Sequence, residues 1–356
     1  MLHRSCLLLL ILLLPTSALL AQEHDAKAVE HYRKGYDMLK ARSFRNAALE
    51  LAEATAIDST FGEAFYALAQ AYKVLNEFSK SIAAYERAYA LDIKRDAIPD
   101  QLAKLYQKEG LTSYRESKYR EAISTFDKSL QYNPANAQVY FSIGLCHDRL
   151  HNADAAKAAY EKAIKIDPNY VKVYKALGDL QRRLRDYGPA TKNYEKAIAT
   201  DPKYMDAYGG LALVHLANQD YEVVVDLMGK AIAANPKYAN GHLFFGMALK
   251  SLGRHHQAIA PLRRAIDLDS KNAEAHYRLG EAYYGKGDYR LAIEAGSRAI
   301  NKKKDYHAAE ALLGDAHFKL GQFTKAHSWY NRALKDARFK DWCTHQIAEI
   351  KRQKNQ

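Results

Sequence analysis

The stretch YEKAIKIDPNYVKVYKALGD at residues 160–179 is followed by YEKAIATDPKYMDAYGGLAL at residues 194–213, so nearly the same sequence returns after 34 positions. The interval extends in both directions, because Pro134, Pro168, Pro202 and Pro236 stand 34 residues apart. Self-similarity at such a period indicates a chain built from stacked structural units. The repeat therefore decides the fold.

The repeat can be numbered so that this proline is the thirty-second residue of each unit, which gives nine units over residues 28–338. The units begin at Ala28, Gly62, Ala103, Ala137, Val171, Met205, Ala239, Ala273 and His307. Position 8 is always glycine or alanine, and position 20 is alanine except at Ser81 and Val224. Small residues at these spacings, with large ones such as Tyr160 and Tyr194 at position 24, predict two closely crossing amphipathic helices. Proline then ends the second helix, since it lacks an N–H group.

These residues resemble the tetratricopeptide repeat. The family's pattern of Leu-Gly with an aromatic residue, then alanine, an aromatic residue, alanine and proline, is matched by residues 176–180, Ala190, Tyr194, Ala197 and Pro202. The usual tryptophan at position 4 is replaced by tyrosine, phenylalanine, histidine or glutamate. The resemblance implies an all-α, right-handed solenoid of about nine helix-turn-helix units, in which each hairpin buries its apolar face against its neighbours. Residues 339–356, with Trp342, Ile347 and Ile350 at helical spacing, predict a capping helix.

The repeat is interrupted at two places. Seven extra residues around positions 93–100 precede the third unit, and we expect a longer loop with Pro99 near the start of an extended helix; an elbow between the first two units and the rest is the alternative. In units six to eight, a cluster of irregular residues predicts a softer seam, with tolerated sequence drift as the alternative. That cluster comprises Gly209, Gly210, Val223, Val224, Val225, Pro261 and Gly296.

Residues 1–21, MLHRSCLLLLILLLPTSALLA, have the anatomy of an export signal, with Arg4 before an apolar run and small residues after Pro15. A cut after Ala21 fits best, and a cut after Ala18 is also compatible. An uncleaved anchor is the alternative, although the apolar run is shorter than the roughly 20 residues that span a bilayer. We therefore expect a periplasmic or secreted protein. Loss of Arg4 changes the net charge from +12 to +11.

The sequence offers little for catalysis. No phosphate-binding loop, HExxH, CxxC or nucleophile elbow is present, and the repeats leave no room for a catalytic domain. Cys146, His147 and His151 lack the further ligands of a metal site, and a packed histidine is the simpler interpretation. Cys146 and Cys343 are expected to be free thiols. We expect a protein that is not an enzyme, with no cofactor and no metal.

In the family that this chain resembles, the first helix of each unit lines the concave face, with positions 2, 5, 6, 9, 12 and 13 directed inward. The candidate groove is basic and aromatic over its first two thirds and apolar beyond, with acids such as Asp179, Glu274 and Glu281 interrupting it. A solvated face with half-buried aromatics is the alternative. The selected residues are Tyr32, Tyr36, Tyr66, Lys104, Lys108, Tyr114, Arg115, Phe141, Arg149, Lys172, Lys175, Arg182, Arg183, Leu213, Phe244, Met247, Tyr277 and Arg278.

Two family subtypes do not fit. A carboxylate clamp needs lysine at position 5 and asparagine at position 9, whereas Lys175 is followed by Asp179. An asparagine ladder is also missing from position 6. The leading hypothesis is a non-catalytic adaptor of the cell envelope whose groove binds an acidic or acidic-apolar segment of another protein, extended or helical. The alternatives are a regulatory or scaffold subunit of an envelope enzyme, secretion or assembly complex, and an anionic-polymer binder. Export argues against nucleic acid as the partner.

Overall fold

A computed structural model describes residues 23–354 of the chain. The described residues form 19 α-helices and no strand. The helices are α1 (Ala26–Lys40), α2 (Phe44–Ile57), α3 (Gly62–Val74), α4 (Phe78–Ala90), α5 (Ile98–Arg115), α6 (Tyr119–Tyr132), α7 (Ala137–Arg149), α8 (Ala153–Ile166), α9 (Val171–Arg183), α10 (Tyr187–Thr200), α11 (Met205–Ala217), α12 (Tyr221–Ala234), α13 (Ala239–Ser251), α14 (His255–Leu268), α15 (Ala273–Lys286), α16 (Tyr289–Lys302), α17 (His307–Lys319), α18 (Phe323–Ala333) and α19 (Ala337–Lys354). Odd-numbered helices from α1 to α17 are the first helices of the nine units, and even-numbered helices are the second. The predicted all-α repeat fold is confirmed.

The turn between the two helices of each unit has one conformation throughout. Position 15 has a positive φ in every unit, between 60° at Arg42 and 90° at Gly287. Such a left-handed residue ends the first helix and reverses the chain within two or three residues. Three units use glycine there, and the other six place a larger residue such as Ser117 or Arg185 in a conformation that favours glycine.

The close crossing of the two helices has the predicted cause. A Cβ added to Gly144 would lie 2.4 Å from the ring of Tyr160, and one added to Gly314 would lie 2.5 Å from the ring of Tyr330. Position 24 therefore packs directly on the backbone at position 8. Unit eight has Gly296 at position 24, and Leu312 of the next unit fills the space over Gly280 instead, 2.8 Å from a Cβ added there.

The described helices divide into two compact units, residues 23–168 with α1–α8 and residues 169–354 with α9–α19. From here on, the first unit and the second unit are these two parts of the chain, and a 34-residue unit is called a repeat. In each unit, a second helix packs on the first helix of its own repeat and on that of the next. First helices also pack on each other, α1 on α3 and α5 on α7 in the first unit, and α9, α11, α13, α15, α17 and α19 in sequence in the second. Side chains on the exposed side of consecutive first helices are thereby brought side by side.

The seven-residue insertion extends α5 at its N-terminus, as the sequence predicted. The helix begins at Ile98 with Pro99 in its first turn, five residues before the repeat frame. Ile98 and Leu102 are fully buried in the same core cluster as Leu51 and Tyr85. The extra turn is therefore packed into the core rather than left as a free loop.

The capping helix α19 closes the end of the second unit. Cys343 and Ile350 are buried against Tyr330 and Ala326, with Ile347 partly buried beside them. Trp342, which the sequence placed on the packed face, is 50% exposed, and Cys343 occupies the buried position instead. Adjacent residues of a helix point about 100° apart, so only one of Trp342 and Cys343 can face the core.

The irregular residues of repeats six to eight have packing roles. A Cβ on Gly210 would lie 2.3 Å from the ring of Tyr194, and one on Gly209 would lie 2.7 Å from the hydroxyl of Tyr238. Val224 replaces the usual alanine at position 20. Helices α11 and α12 pack on each other less extensively than the two helices of any other repeat. Pro261 lies inside a continuous α14. The softer seam stays a prediction, but the two glycines are accounted for by the tyrosines beside them.

No helix within residues 23–354 combines the length and the apolarity that crossing a bilayer requires. The predicted export signal at residues 1–21 lies outside the described residues.

Candidate functional site

The predicted groove residues lie on the first helices, and none of them is fully buried. Eight are exposed: Tyr36, Lys104, Lys108, Arg115, Arg149, Lys172, Arg183 and Leu213. Ten are partly buried: Tyr32, Tyr66, Tyr114, Phe141, Lys175, Arg182, Phe244, Met247, Tyr277 and Arg278. The surface that these positions form is called the first-helix face below, and it is described separately for each unit.

Three lysines dominate the first-helix face of the first unit. Lys73 on α3 donates to Gln101 Oε1 at 3.1 Å, and the ammonium of Lys108 on α5 lies 5.4 Å from the centroid of the Phe78 ring. Burial lowers the pKa of Lys73, and the positive charges of Lys108 and Lys104 lower it further. None of the three lysines forms an ion pair with a residue in the described part of the chain. This lysine cluster is therefore an uncompensated concentration of positive charge.

Arginines extend this positive surface along the unit. Arg115 ends α5 and is exposed, and Arg149 ends α7 with its guanidinium near the hydroxyl of Tyr114. The interaction with Tyr114, together with Tyr119 and Asp148, raises the pKa of Arg149. A carboxylate that reached this face would meet donors on α3, α5 and α7.

The predicted basic residues of the fifth repeat are partly neutralised within the protein. Lys175 Nζ lies 2.7 Å from Asp179 Oδ2, and the hydroxyl of Tyr194 donates to Asp179 Oδ1 at 2.7 Å. The Lys175 ammonium thus already has a carboxylate partner, so this residue is a weaker candidate for ligand contact than its position suggested. Lys172 and Arg183 remain exposed on the same helix.

Arg278 in the eighth repeat is held even more firmly. Its guanidinium makes ion pairs of 2.7 Å with both Glu274 and Glu281, and it lies 5.0 Å from the centroid of the Tyr277 ring. Glu281 also pairs with Lys250 at 3.3 Å, and Glu274 accepts a hydrogen bond from the hydroxyl of Tyr306. The four charges balance within the network, so Arg278 is a structural ion-pair centre rather than a free cation.

The aromatic residues of the face are mostly wedged between helices. The ring of Tyr66 packs edge-on against Tyr85 at 5.7 Å, and that of Tyr277 packs against Tyr306 at 5.2 Å. Tyr36 differs, because it is 40% exposed, with the Lys40 ammonium 4.4 Å from its ring centroid. Half-buried aromatics were the alternative interpretation of these positions, and the structure places most of them so.

The predicted apolar stretch of repeats six and seven is more buried than expected. Phe244 and Met247 are partly buried and pack against the core of the second unit, and Leu243 is buried in it. Leu213 is 38% exposed and is the member that presents apolar surface to solvent.

A cleft of about 500 Å³ opens between α15, α17 and α19 in the second unit, with one residue each from the ends of α13 and α14. Aromatic and aliphatic residues share its walls with Lys250, His255, Glu281 and Asp315. Asp315 Oδ1 accepts hydrogen bonds from the hydroxyl of Tyr330 at 2.7 Å and from Trp342 Nε1 at 3.2 Å. Burial raises the pKa of Asp315, although these two donors oppose the shift.

The histidines near Cys146 do not form a ligand pair on one helix. His147 lies in α7, but His151 lies beyond its end, at the turn residue with φ of 60°. Cys146 is a buried free thiol in the first unit and Cys343 a buried free thiol in the second. Within residues 23–354 there is no group of three or more metal-ligating side chains.

Three models of one repeat family match the sequence along both units. A tetratricopeptide repeat model matches residues 108–171 and 175–239, a second matches residues 62–92, 273–305 and 309–335, and a TPR repeat model matches residues 246–287. Together they cover more than half of the chain. The chain belongs to the tetratricopeptide repeat family.

Two solved structures share the fold. A tetratricopeptide repeat protein from Parabacteroides merdae is 13% identical with a TM-score of 0.53, covering 70% of this chain and 99% of that one. The C-terminal part of a TPR repeat-containing protein from Cytophaga hutchinsonii is 14% identical with a TM-score of 0.53, covering 67% and 98%. Among curated proteins, none matches this sequence. Tetratricopeptide repeats generally mediate protein–protein interaction and are not catalytic modules.

Asp315 was not among the acids predicted at the groove, although the tetratricopeptide frame places it with Asp179 and Glu281, which were. Asp179, Glu281 and Asp315 all occupy position 9, and in two of these repeats the tyrosine at position 24 donates to the carboxylate. Reading position 9 together with position 24 would have identified Asp315 as a residue of interest. The partner of Trp342 could not be found in this way, because α19 lies outside the repeat.

Proposed function

We propose that this tetratricopeptide protein is a non-catalytic adaptor that binds an acidic segment of a partner protein on the first-helix face of its first unit. The observation that supports this most strongly is the lysine cluster of Lys73, Lys104 and Lys108. The charges of Lys104 and Lys108 lower the pKa of Lys73, and none of the three lysines forms an ion pair within residues 23–354, so a bound carboxylate would relieve their repulsion.

The neighbouring side chains suit a peptide ligand. Tyr36 on α1 exposes aromatic surface, Phe141 on α7 is partly buried against Tyr160, and Arg115 on α5 and Arg149 on α7 add hydrogen-bond donors. Arginine and tyrosine are favoured residues at protein interfaces, and charge complementarity contributes specificity and association rate. An acidic segment with a few apolar side chains fits this composition.

Affinity capture tests the proposal. The purified chain is compared with a Lys104→Glu, Lys108→Glu variant and with a matched Lys192→Glu, Lys196→Glu variant. The control pair also stands four residues apart, is exposed, and lies on a second helix, so both variants change the net charge equally. A partner lost only from the first variant supports the proposal. A partner retained by the first variant, or lost equally from both, contradicts it, and equal loss is the result expected of an anionic polymer attracted by net charge.

The proposal includes an envelope location, which the leader-like residues 1–21 support. N-terminal sequencing of the protein from its own host is expected to find Gln22 first, or Leu19 if the cut follows Ala18. An intact Met1 in the mature protein would contradict export by a cleaved signal.

A further inference from the structure

Two repeats carry the same tyrosine–aspartate pair in different surroundings. Asp179 in α9 and Asp315 in α17 both occupy position 9, and each accepts a 2.7 Å hydrogen bond from the tyrosine at position 24. Asp179 has Lys175 at position 5 as its ion-pair partner, whereas the corresponding residue before Asp315 is Ala311. No lysine, arginine or histidine of the described chain forms an ion pair with Asp315.

The surroundings of Asp315 leave its charge unbalanced. Lys319, one helical turn later on α17, acts on it from a distance, and Tyr284, Tyr330, Trp342 and Cys343 are further polar groups around it. His255 lines the same cleft. Lys250 lines the same cleft, but its ammonium is paired with Glu281 inside the balanced network around Arg278. Apart from His255, the charged residues of the lining are Lys250, Glu281 and Asp315, which carry one more negative than positive charge.

The walls of the cleft fit an aliphatic chain that ends in a cation. Leu312, Phe339 and Trp342 supply apolar and aromatic surface, and the volume of about 500 Å³ lies within the range of small-ligand sites. Long basic side chains bury their methylene stems on such surfaces and keep the charged end for a polar partner. Aromatic faces add to the attraction for a cation.

We infer that this cleft accepts a basic side chain, lysine or arginine, of a peptide segment in a partner protein, with Asp315 as the ion-pair acceptor. The inference goes beyond the proposed function, because it concerns a different surface and ligand of opposite charge. The basic side chain of the partner would give Asp315 the cation that Lys175, at position 5 of the fifth repeat, gives Asp179.

Trp342 gives a direct readout. The chain has two tryptophans, so a ¹⁵N-labelled sample shows two indole N–H signals, and Trp329 on α18 serves as the internal reference. Acetyl-Ala-Lys-Ala-amide is titrated into the full chain beside the same peptide with norleucine for lysine, and beside n-butylammonium chloride. We expect a saturable shift of the Trp342 signal with the lysine peptide, weaker binding of butylammonium, and no saturation with the norleucine peptide.

Two variants locate the site. Asp315→Asn keeps an oxygen acceptor for Tyr330 and Trp342, and should weaken lysine-peptide binding about tenfold or more, as loss of one charged hydrogen bond does. Asp179→Asn should leave it unchanged. A second measurement needs no variant: raising the salt concentration should weaken the lysine peptide, because screening reduces ion pairing. Equal binding of the norleucine peptide, equal binding of butylammonium, unaltered binding by Asp315→Asn, or independence of salt would each overturn the inference.

Discussion

Packing between positions 8 and 24 determines which residue types recur at position 8 of the repeat. Position 8 is small because the side chain at position 24 of the same hairpin lies on its backbone, as Tyr160 does on Gly144. The sequence made this pairing predictable, since both positions recur at a fixed interval. It did not reveal why Gly209 and Gly210 stand together, because the tyrosines they contact belong to other helices.

Replacement of Gly210 by alanine distinguishes a packing role from a flexible one. If the glycine provided flexibility, alanine would stabilise α11 by about 1 kcal/mol, the usual difference in helix propensity. The structure instead predicts a loss of about 1–3 kcal/mol from overpacking against Tyr194. Urea denaturation followed by circular dichroism measures the difference. Gly188→Ala is the matched control, because Gly188 is also helical and an added Cβ meets nothing within 4 Å. A stabilised Gly210→Ala variant would contradict the packing account.

A second residue-scale prediction concerns acid stability. Burial alone would raise the pKa of Asp58, but hydrogen bonds from the hydroxyl and amide of Thr60 and from His24 lower it to about 2. A carboxyl whose folded pKa is depressed contributes stability above its unfolded pKa and loses it as pH falls through the folded value. The thermal midpoint should therefore fall more steeply between pH 4 and pH 2 in the wild type than in Asp58→Asn. Parallel curves would count against this assignment.

At the scale of elements, the repeat frame predicted helix order and the extension of α5, but not the register of α19. Residues inside the repeat are constrained by eight other copies of the same pattern. The capping helix has no such copy, and helical spacing alone allowed either Trp342 or Cys343 to face the core. Packing decides between them, because the small thiol fits against Tyr330 while the indole remains at the surface and reaches Asp315.

The cap should be essential to the last repeat. Ile350 is 1% exposed, so Ile350→Ala should cost about 2–5 kcal/mol through lost burial and the cavity that remains. Hydrogen exchange should show the loss of protection concentrated in α17, α18 and α19, since a repeat contacts only its neighbours. Ile347→Ala, at a partly buried site on the same helix, should have a smaller effect. Uniform loss of protection across the second unit would contradict a local capping role.

At the scale of the whole molecule, the charge of the first-helix face was only partly predictable. Composition and spacing predicted lysines and arginines on one side of the first helices. Spacing puts acids one helical turn from Arg278 and Lys175. It could not show that the ion pairs form, because pairing depends on side-chain rotamers. The structure leaves the lysine cluster in the first unit uncompensated and balances the network around Arg278 in the second.

Affinity for a model acidic peptide tests the central claim most directly. A fluorescently labelled twelve-residue peptide of glutamate and leucine is titrated with the wild type, with Lys104→Glu, Lys108→Glu, and with Lys192→Glu, Lys196→Glu, at one fixed salt concentration. The account predicts that the lysine-cluster variant binds about tenfold or more weakly, since two close charge contacts are reversed, while the control stays within about twofold of the wild type. Equal weakening by both variants, or none by the first, would contradict it.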